Sequence, residues 1–188
     1  MKLATNRLIL REFETDDFLS VHAYASEIDN VKYMIWGPND EKATESFINN
    51  CIQWQNESPR LKYDFAVTLK STGQLIGGCG LYLEDDSAQA TLGWILHKSY
   101  WKQGYMPEAA KALLSFGFNK LKLHRMFASC NAENYGSYRV MEKCGMRREA
   151  HFIKNRHGRK GIDAEWLDEY IYAILDSEWC KVMRQNGV

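Results

Sequence analysis

The stretch from Gly93 to Ala110, GWILHKSYWKQGYMPEAA, restricts the fold most, because an apolar strand-like run stops at a glycine turn and restarts at once as a helix. Pro107 suits the first helical position, where no backbone donor is needed, and the residue before a proline is biased away from helical geometry. The boundary is therefore predicted at Met106/Pro107, with Glu108 in the first turn. The free amides of Gln103 to Met106 would then sit at the positive end of a helix dipole. Gly104 supplies the backbone freedom with which such a turn can wrap a diphosphate. The same punctuation also serves plain chain reversal, so its meaning depends on the rest of the chain.

The 188 residues, 45% apolar and 13% aromatic, fit a single domain over 1–188 with a substantial core, without linker, repeat or low-complexity tract. Lys and Arg number 24, as do Asp and Glu, so no global field draws the chain to nucleic acid or to an anionic membrane. Cys51, Cys79, Cys130, Cys144 and Cys180 match neither a metal knuckle nor a disulfide framework, which predicts a reducing cytoplasm with the thiols as small buried filler. The histidines share no metal spacing, and no metal is implied. No run of 18 apolar residues and no export signal is present, so the chain is expected to stay in the cytoplasm, off the membrane.

Arg7 to Phe13 reads as a first strand. Thr15-Asp16-Asp17 caps a helix with Phe18, Val21, Tyr24, Ala25 and Ile28 on one face, and Asn39 or Asp40 caps a second helix that ends by Ser58-Pro59. Strands are predicted around Phe65 to Leu69, over Leu75 to Leu83, and from Ala88 to His97 after a turn at Glu84-Asp85-Asp86-Ser87. Beyond the Pro107 helix come a strand at Arg125–Cys130, a helix from about Gly136 to Lys143 closed by Gly145, and strands at Arg147–Lys154 and Trp166–Ile174. The last two flank a polar loop, Asn155–Ala164, and a helix or tail follows from Leu175. The fifth of these strands is predicted to run parallel to the fourth, leaving a crevice where the two diverge, bordered by the loop after residue 130.

GWILHKSYWKQGYMPEA, NAENYGSYRVMEKCGM and WLDEYIYAIL, with the opening TNRLILREFETDD, together resemble the GNAT superfamily of acyl-CoA N-acyltransferases, in particular its RimJ/RimL-like branch. The resemblance spans nearly the whole chain. It implies an α+β fold: a mixed, mainly antiparallel sheet of about seven strands between helical layers, with acetyl-CoA held where strands four and five splay. In that family the pyrophosphate loop reads Gln or Arg, two residues, Gly, one residue, then Gly or Ala. Here Trp101, Lys102, Gln103, Gly104, Tyr105 and Met106 fill those positions, and two of the three signature residues differ. Main-chain donors tolerate Trp101. The Met106 side chain either crowds the cofactor or turns into the core, and the adaptability of methionine favours the second.

The resemblance further implies that the backbone of Trp94, Ile95 and Leu96 meets the pantetheine and the thioester oxygen, and that Asn134 and Ser137 lie near the sulfur, Ser137 as general acid. The same two residues also read as a helix cap and an ordinary first-turn serine. Asp168 is the candidate to orient or deprotonate the amine, with Glu165 behind it. His97 reads as a loop residue, and Tyr33, Trp36 and Trp54 as core or acceptor-pocket aromatics. The basic run Lys154–Gly161 would favour an acidic peptide or anionic acceptor over a polyamine. The implied activity is acetyl transfer from acetyl-CoA to a primary amine by direct attack in a ternary complex. The acceptor would be a protein N-terminus or, alternatively, a small-molecule or antibiotic amine. A non-catalytic acyl-CoA-binding regulator is the reading from another class, and a homodimer lies within what the resemblance implies.

Overall fold

Alternation along the central strands divides their side chains between two cores, and that division sets the layers. In β3 (Lys62–Leu69), Phe65 and Val67 enter one buried cluster while Ala66 enters the other. The first cluster is built with α3 (Tyr105–Asn119), the second with α1 (Phe18–Ala25) and α2 (Glu41–Gln55). Helices therefore cover both faces of one sheet. The computed structural model describes residues 1–84, 88–163 and 165–185. The turn predicted at 84–87 lies, apart from Glu84, outside the described residues, as do residue 164 of the polar loop and the tail at 186–188.

The sheet also contains β1 (Lys2–Ala4), β2 (Leu8–Arg11), β4 (Leu75–Leu83), β5 (Gln89–Leu96), β6 (Arg125–Asn131), β7 (Arg147–His157) and β8 (Trp166–Leu175). Its order is β1-β2-β3-β4-β5-β6-β8-β7, eight strands against an expectation of about seven. The additional β1 is three residues long, too short to show alternation, and it forms by pairing Leu3 with Leu10. Every pairing is antiparallel except β5 with β6. The helices α4 (Tyr135–Lys143) and α5 (Asp176–Gln185) complete the fold.

Several boundaries differ from the sequence reading for local reasons. Asp40, one of two proposed caps for α2, accepts from Ala43 N at 2.7 Å. The first helix stops at Ala25, which leaves Ile28 half exposed outside it. At the glycine turn, α3 begins at Tyr105 rather than Pro107. Gly104 takes φ +79° as the N-cap, and proline then falls at the third helical position, whose N–H would have no intrahelical partner anyway. Burial of Met106 in the core offsets the bias against a helical residue before proline. Strand β7 runs on to His157, because Arg156 pairs with Leu167 and the His157 ring lies 3.7 Å from that of Trp166. Part of the expected polar loop is therefore sheet edge.

Candidate active site

β5 and β6 pair at only three positions, Gln89 with Arg125, Ala90 with Met126 and Thr91 with Phe127. Beyond them Leu92–Leu96 and Ala128–Asn131 go separate ways, which opens the crevice expected between the fourth and fifth predicted strands. In an antiparallel ladder alternate residues turn their N–H and C=O groups to opposite neighbours. His97 N donates to Ile76 O, so Ile95, in the same phase, faces β4, while Trp94 turns its main chain toward the opening. The Leu96 carbonyl accepts from Trp101 Nε1 at 2.7 Å and from Asn30 Nδ2 at 3.3 Å. Of the three strand residues proposed for the cofactor, Trp94 and the Leu96 N–H thus face the opening, while Ile95 faces β4. The Trp101 indole, neutral in the sequence reading, staples the turn to the end of β5.

At the turn, Lys102 (φ +61°) and Gly104 (φ +79°) both adopt left-handed geometry, which curls the main chain into a concave rim. Among the described residues, the N–H groups of Gln103, Gly104, Tyr105 and Met106 have no protein acceptor. The Met106 side chain is 5% exposed and packs in the core, away from that rim. The rim is braced from afar. Glu108 accepts from Thr5 Oγ1 at 2.6 Å, Arg7 N at 2.7 Å and Arg7 Nε at 2.7 Å, and Arg7 Nη1 reaches Gln103 O at 3.1 Å. Burial raises the Glu108 pKa, but the bonds from Thr5 and Arg7 outweigh it and hold the group below the ordinary carboxylate range. An open depression of about 390 Å3, lined by Gly104, Pro107, Glu108, Lys111 and Lys143, lies beside the rim. Both lysines escape the sequence reading, which has no way to bring α3 and α4 together.

On the far wall, Asn134 caps α4, its Oδ1 accepting from Ser137 N at 3.0 Å. The capping alternative for Asn134 is therefore realised, and its amide nitrogen remains available to donate. The Ser137 side chain neighbours the thiol of Cys130. Burial pushes that thiol up to about 11, against the lowering effects of Ser137, Arg156 and Arg148, so Cys130 is a neutral neighbour at physiological pH.

Adjacent residues of β8 separate by alternation. Asp168 accepts from Lys154 N at 2.9 Å and lies 3.1 Å from His151 Nε2. The Lys154 amide, with His151, holds the carboxyl below its usual range. Its neighbour Glu169 is 9% exposed, stands opposite Asn131 at the end of β6, accepts from Asn155 Nδ2 at 2.9 Å and lies 3.9 Å from Arg156 Nη1. Glu169 thus stands buried beside the end of β6, while Asp168, the acid the sequence reading names, is bound to β7 and accepts from Ala132 N through its carbonyl. The third carboxylate considered, Glu165, is exposed ahead of β8, and its carbonyl accepts from Gly158 N. His97 caps a short 3-10 turn over Lys98–Tyr100, where Ser99 N donates to its Nδ1 at 3.2 Å.

Much of the basic run is engaged by residues outside it. Arg159, with a side chain 10% exposed, pairs with Asp163 at 2.8 Å and donates to the carbonyls of Val31, Lys32, Trp36 and Gly37 at 2.8–3.2 Å. Arg159 draws the Asp163 carboxyl down to about 2. Arg156 faces Glu169 at 3.9 Å with its Nε buried and unpartnered, and Lys154 and Lys160 have no ion-pair partner among the described residues. The clasp ties the segment between α1 and α2 to the β7–β8 loop. Trp36 and Trp54 pack against the second core, with Lys62 Nζ 4.3 Å over the Trp54 ring.

A family model described as an acetyltransferase (GNAT) domain matches residues 7–147. The uncharacterized N-acetyltransferase YnaD of Bacillus subtilis is 40% identical over 95% of this chain and 99% of its own length. A GNAT-family acetyltransferase structure from Bacillus anthracis superposes with a TM-score of 0.81 at 38% identity, covering 94% of this chain and 99% of the other. The RimL ribosomal L7/L12 alpha-N-protein acetyltransferase, solved in complex with coenzyme A, has a TM-score of 0.81 at 15% identity over 93% of this chain and 98% of its own, a likeness of fold alone. Among the described residues no group of three or more His, Cys, Asp or Glu is placed to hold a metal ion, and no helix is long and apolar enough to cross a membrane.

Proposed function

The chain belongs to the GNAT family of N-acetyltransferases, and we propose that it moves the acetyl group of acetyl-CoA onto a primary amine, a protein N-terminus being the leading acceptor. The observation that carries this reading is the three-residue pairing of β5 with β6, after which a crevice opens beside the rim of unpaired amides at 103–106. Those amides suit the diphosphate, Lys111 and Lys143 add positive charge beside them, and Trp94 offers main-chain groups to the pantetheine and the thioester oxygen. Asn134 and Ser137 flank the sulfur end. In the reaction the amine lone pair attacks the thioester carbon, the C–N bond forms, the C–S bond breaks and the nitrogen gives up one proton, while the departing sulfur takes a proton from Ser137, which regains one from solvent.

An α-amino group, with a pKa of about 8, is neutral in a useful fraction of molecules near neutral pH, whereas a lysine amine at about 10.4 is almost wholly charged. That difference favours an N-terminal acceptor. A small-molecule amine remains the second reading, and a panel of short peptides and small amines separates the two by the CoA thiol released. The binding-only alternative draws on Met106, whose side chain lies in the core.

Ser137→Ala is expected to lower turnover about 100-fold while acetyl-CoA affinity persists, and undiminished turnover would remove Ser137 from the mechanism. Glu108→Ala frees Arg7 and loosens Gln103, so acetyl-CoA Kd should rise about tenfold with little change in turnover at saturation. Calorimetry reporting an unaltered Kd would show that the brace does not shape the rim.

A further inference from the structure

On the sheet face toward α1 and α2, Asp64, Gly80 and Gly93 stand abreast on β3, β4 and β5. The two glycines leave a trough, and Tyr82 lies in it. A Cβ at Gly80 would overlap the Tyr82 hydroxyl and come within 2.8 Å of Asp64 Oδ1, and one at Gly93 would sit 3.7 Å from Tyr82 Cε2. Tyr82 Oη donates to Asp64 Oδ1 at 2.6 Å. Asp64 is 6% exposed, and its Oδ2 is buried with no hydrogen-bond partner. Gly93 lies two residues past Thr91, the last β5 residue paired with β6, so the Tyr82 ring lies between the strand that borders the crevice and this buried carboxyl.

We infer that the Tyr82 hydroxyl is the group that takes the proton from the attacking amine, with Asp64 as the positioning residue that holds Tyr82 and stores the proton. An unsatisfied carboxylate oxygen in a packed interior is costly, and a role in proton transfer accounts for its retention. As the C–N bond forms, the N–H proton passes to Tyr82 Oη while the tyrosine's own proton passes to Asp64 Oδ1, leaving a tyrosine and a neutral carboxylic acid. The electron pair of the broken C–S bond leaves on sulfur. Asp64 gives its proton back to solvent through Tyr82 after the product departs.

The surroundings fit that role. Burial lifts Asp64 to about 6, opposed by the Tyr82 bond and by Arg60 and Lys62. Arg60 is engaged by Glu12 at 2.5 Å and Lys62 lies over Trp54, so neither forms an ion pair with Asp64. Tyr24 of α1 and Cys51 of α2 also face the group, with Cys79 of β4 turned to the other side of the sheet, and burial raises all three, which keeps them protonated. Ionised Asp64 is therefore the proton sink of this face.

The inference rests on the transferase reading, and the experiment separates the two. CoA thiol release is measured against pH for the wild type, Tyr82→Phe and Asp64→Asn, with short peptides of differing first residue and spermidine as acceptors, and acetyl-CoA Kd is measured by calorimetry. The expected result is a wild-type kcat that falls on the acid side near the Asp64 value of about 6. Both variants should lose about 100-fold in kcat, and with it that acid limb, at unchanged Kd. An active wild type with Tyr82→Phe within threefold of it and the same pH profile overturns the inference alone. A wild type that binds acetyl-CoA yet releases no thiol with any amine overturns the transferase reading and the inference together. Should a variant fail to bind acetyl-CoA, the wild-type profile decides, and no acid limb near that value overturns the assignment.

Discussion

Gly77→Ala should lower stability by about 3 kcal/mol, near the top of the range for forcing extra atoms into a packed interior, and should raise acetyl-CoA Kd about tenfold or more. A Cβ at Gly77 would overlap the Ile95 carbonyl oxygen and come within 2.9 Å of Leu96 Cα and 3.1 Å of Leu96 Cδ1. Two of those atoms are main chain, so no rotamer change relieves the overlap, and the Gly77–Leu96 register must open. Displacing Leu96 disturbs the carbonyl that holds Trp101 and Asn30, and through Trp101 the turn itself. Gly93→Ala is the control for stability. Its Cβ would make ordinary contact with Tyr82 at 3.7 Å, so a loss under about 1 kcal/mol is expected. Urea denaturation tests the contrast, and equal losses at the two glycines would refute a main-chain origin.

Where a feature depends on neighbouring residues only, the amino-acid sequence already displays it. Gly104 at a left-handed turn, Gly145 after α4 at φ +82° and the strand runs of β3 to β5 are of that kind. What stays hidden is non-local. Arg7 and Glu108 lie 101 positions apart, and only the placement of β2 beside α3 joins them. The adjacent acids Asp168 and Glu169 differ in partners and burial because a strand turns successive side chains to opposite faces, and sequence does not say which face is covered. Lys154 to Gly161 reads as free charge because its partners, Glu169 and the carbonyls of residues 31–37, come from other elements. Asp64 is concealed for the same kind of reason. In Tyr63-Asp64-Phe65-Ala66-Val67 it looks like the polar half of a one-sided strand, yet α1 and α2 cover that side as well.

That covered carboxyl leads to the second large effect. Asp64→Asn should make the protein more stable at pH 7.5, by up to about 3 kcal/mol, and should leave stability unchanged at pH 3.5. The folded-state pKa, about 6, lies above the ordinary 3.8, so between those values the native state binds the proton that the unfolded chain has already released. Stability contributed by the site therefore falls as pH rises from roughly 4 to 6 and stays low above that window, because ionised Asp64 is poorly solvated in the fold. Asparagine removes the charge, keeps an oxygen for the Tyr82 hydroxyl, and places an amide where Oδ2 had no partner, so part of the gain is lost to that new donor. Urea denaturation at the two pH values measures it. A variant less stable than the wild type at pH 7.5 would mean that the carboxylate is solvated or paired in the fold. A variant stabilised at neutral pH but deficient in turnover would mark Asp64 as a group whose unfavourable burial is retained for chemistry.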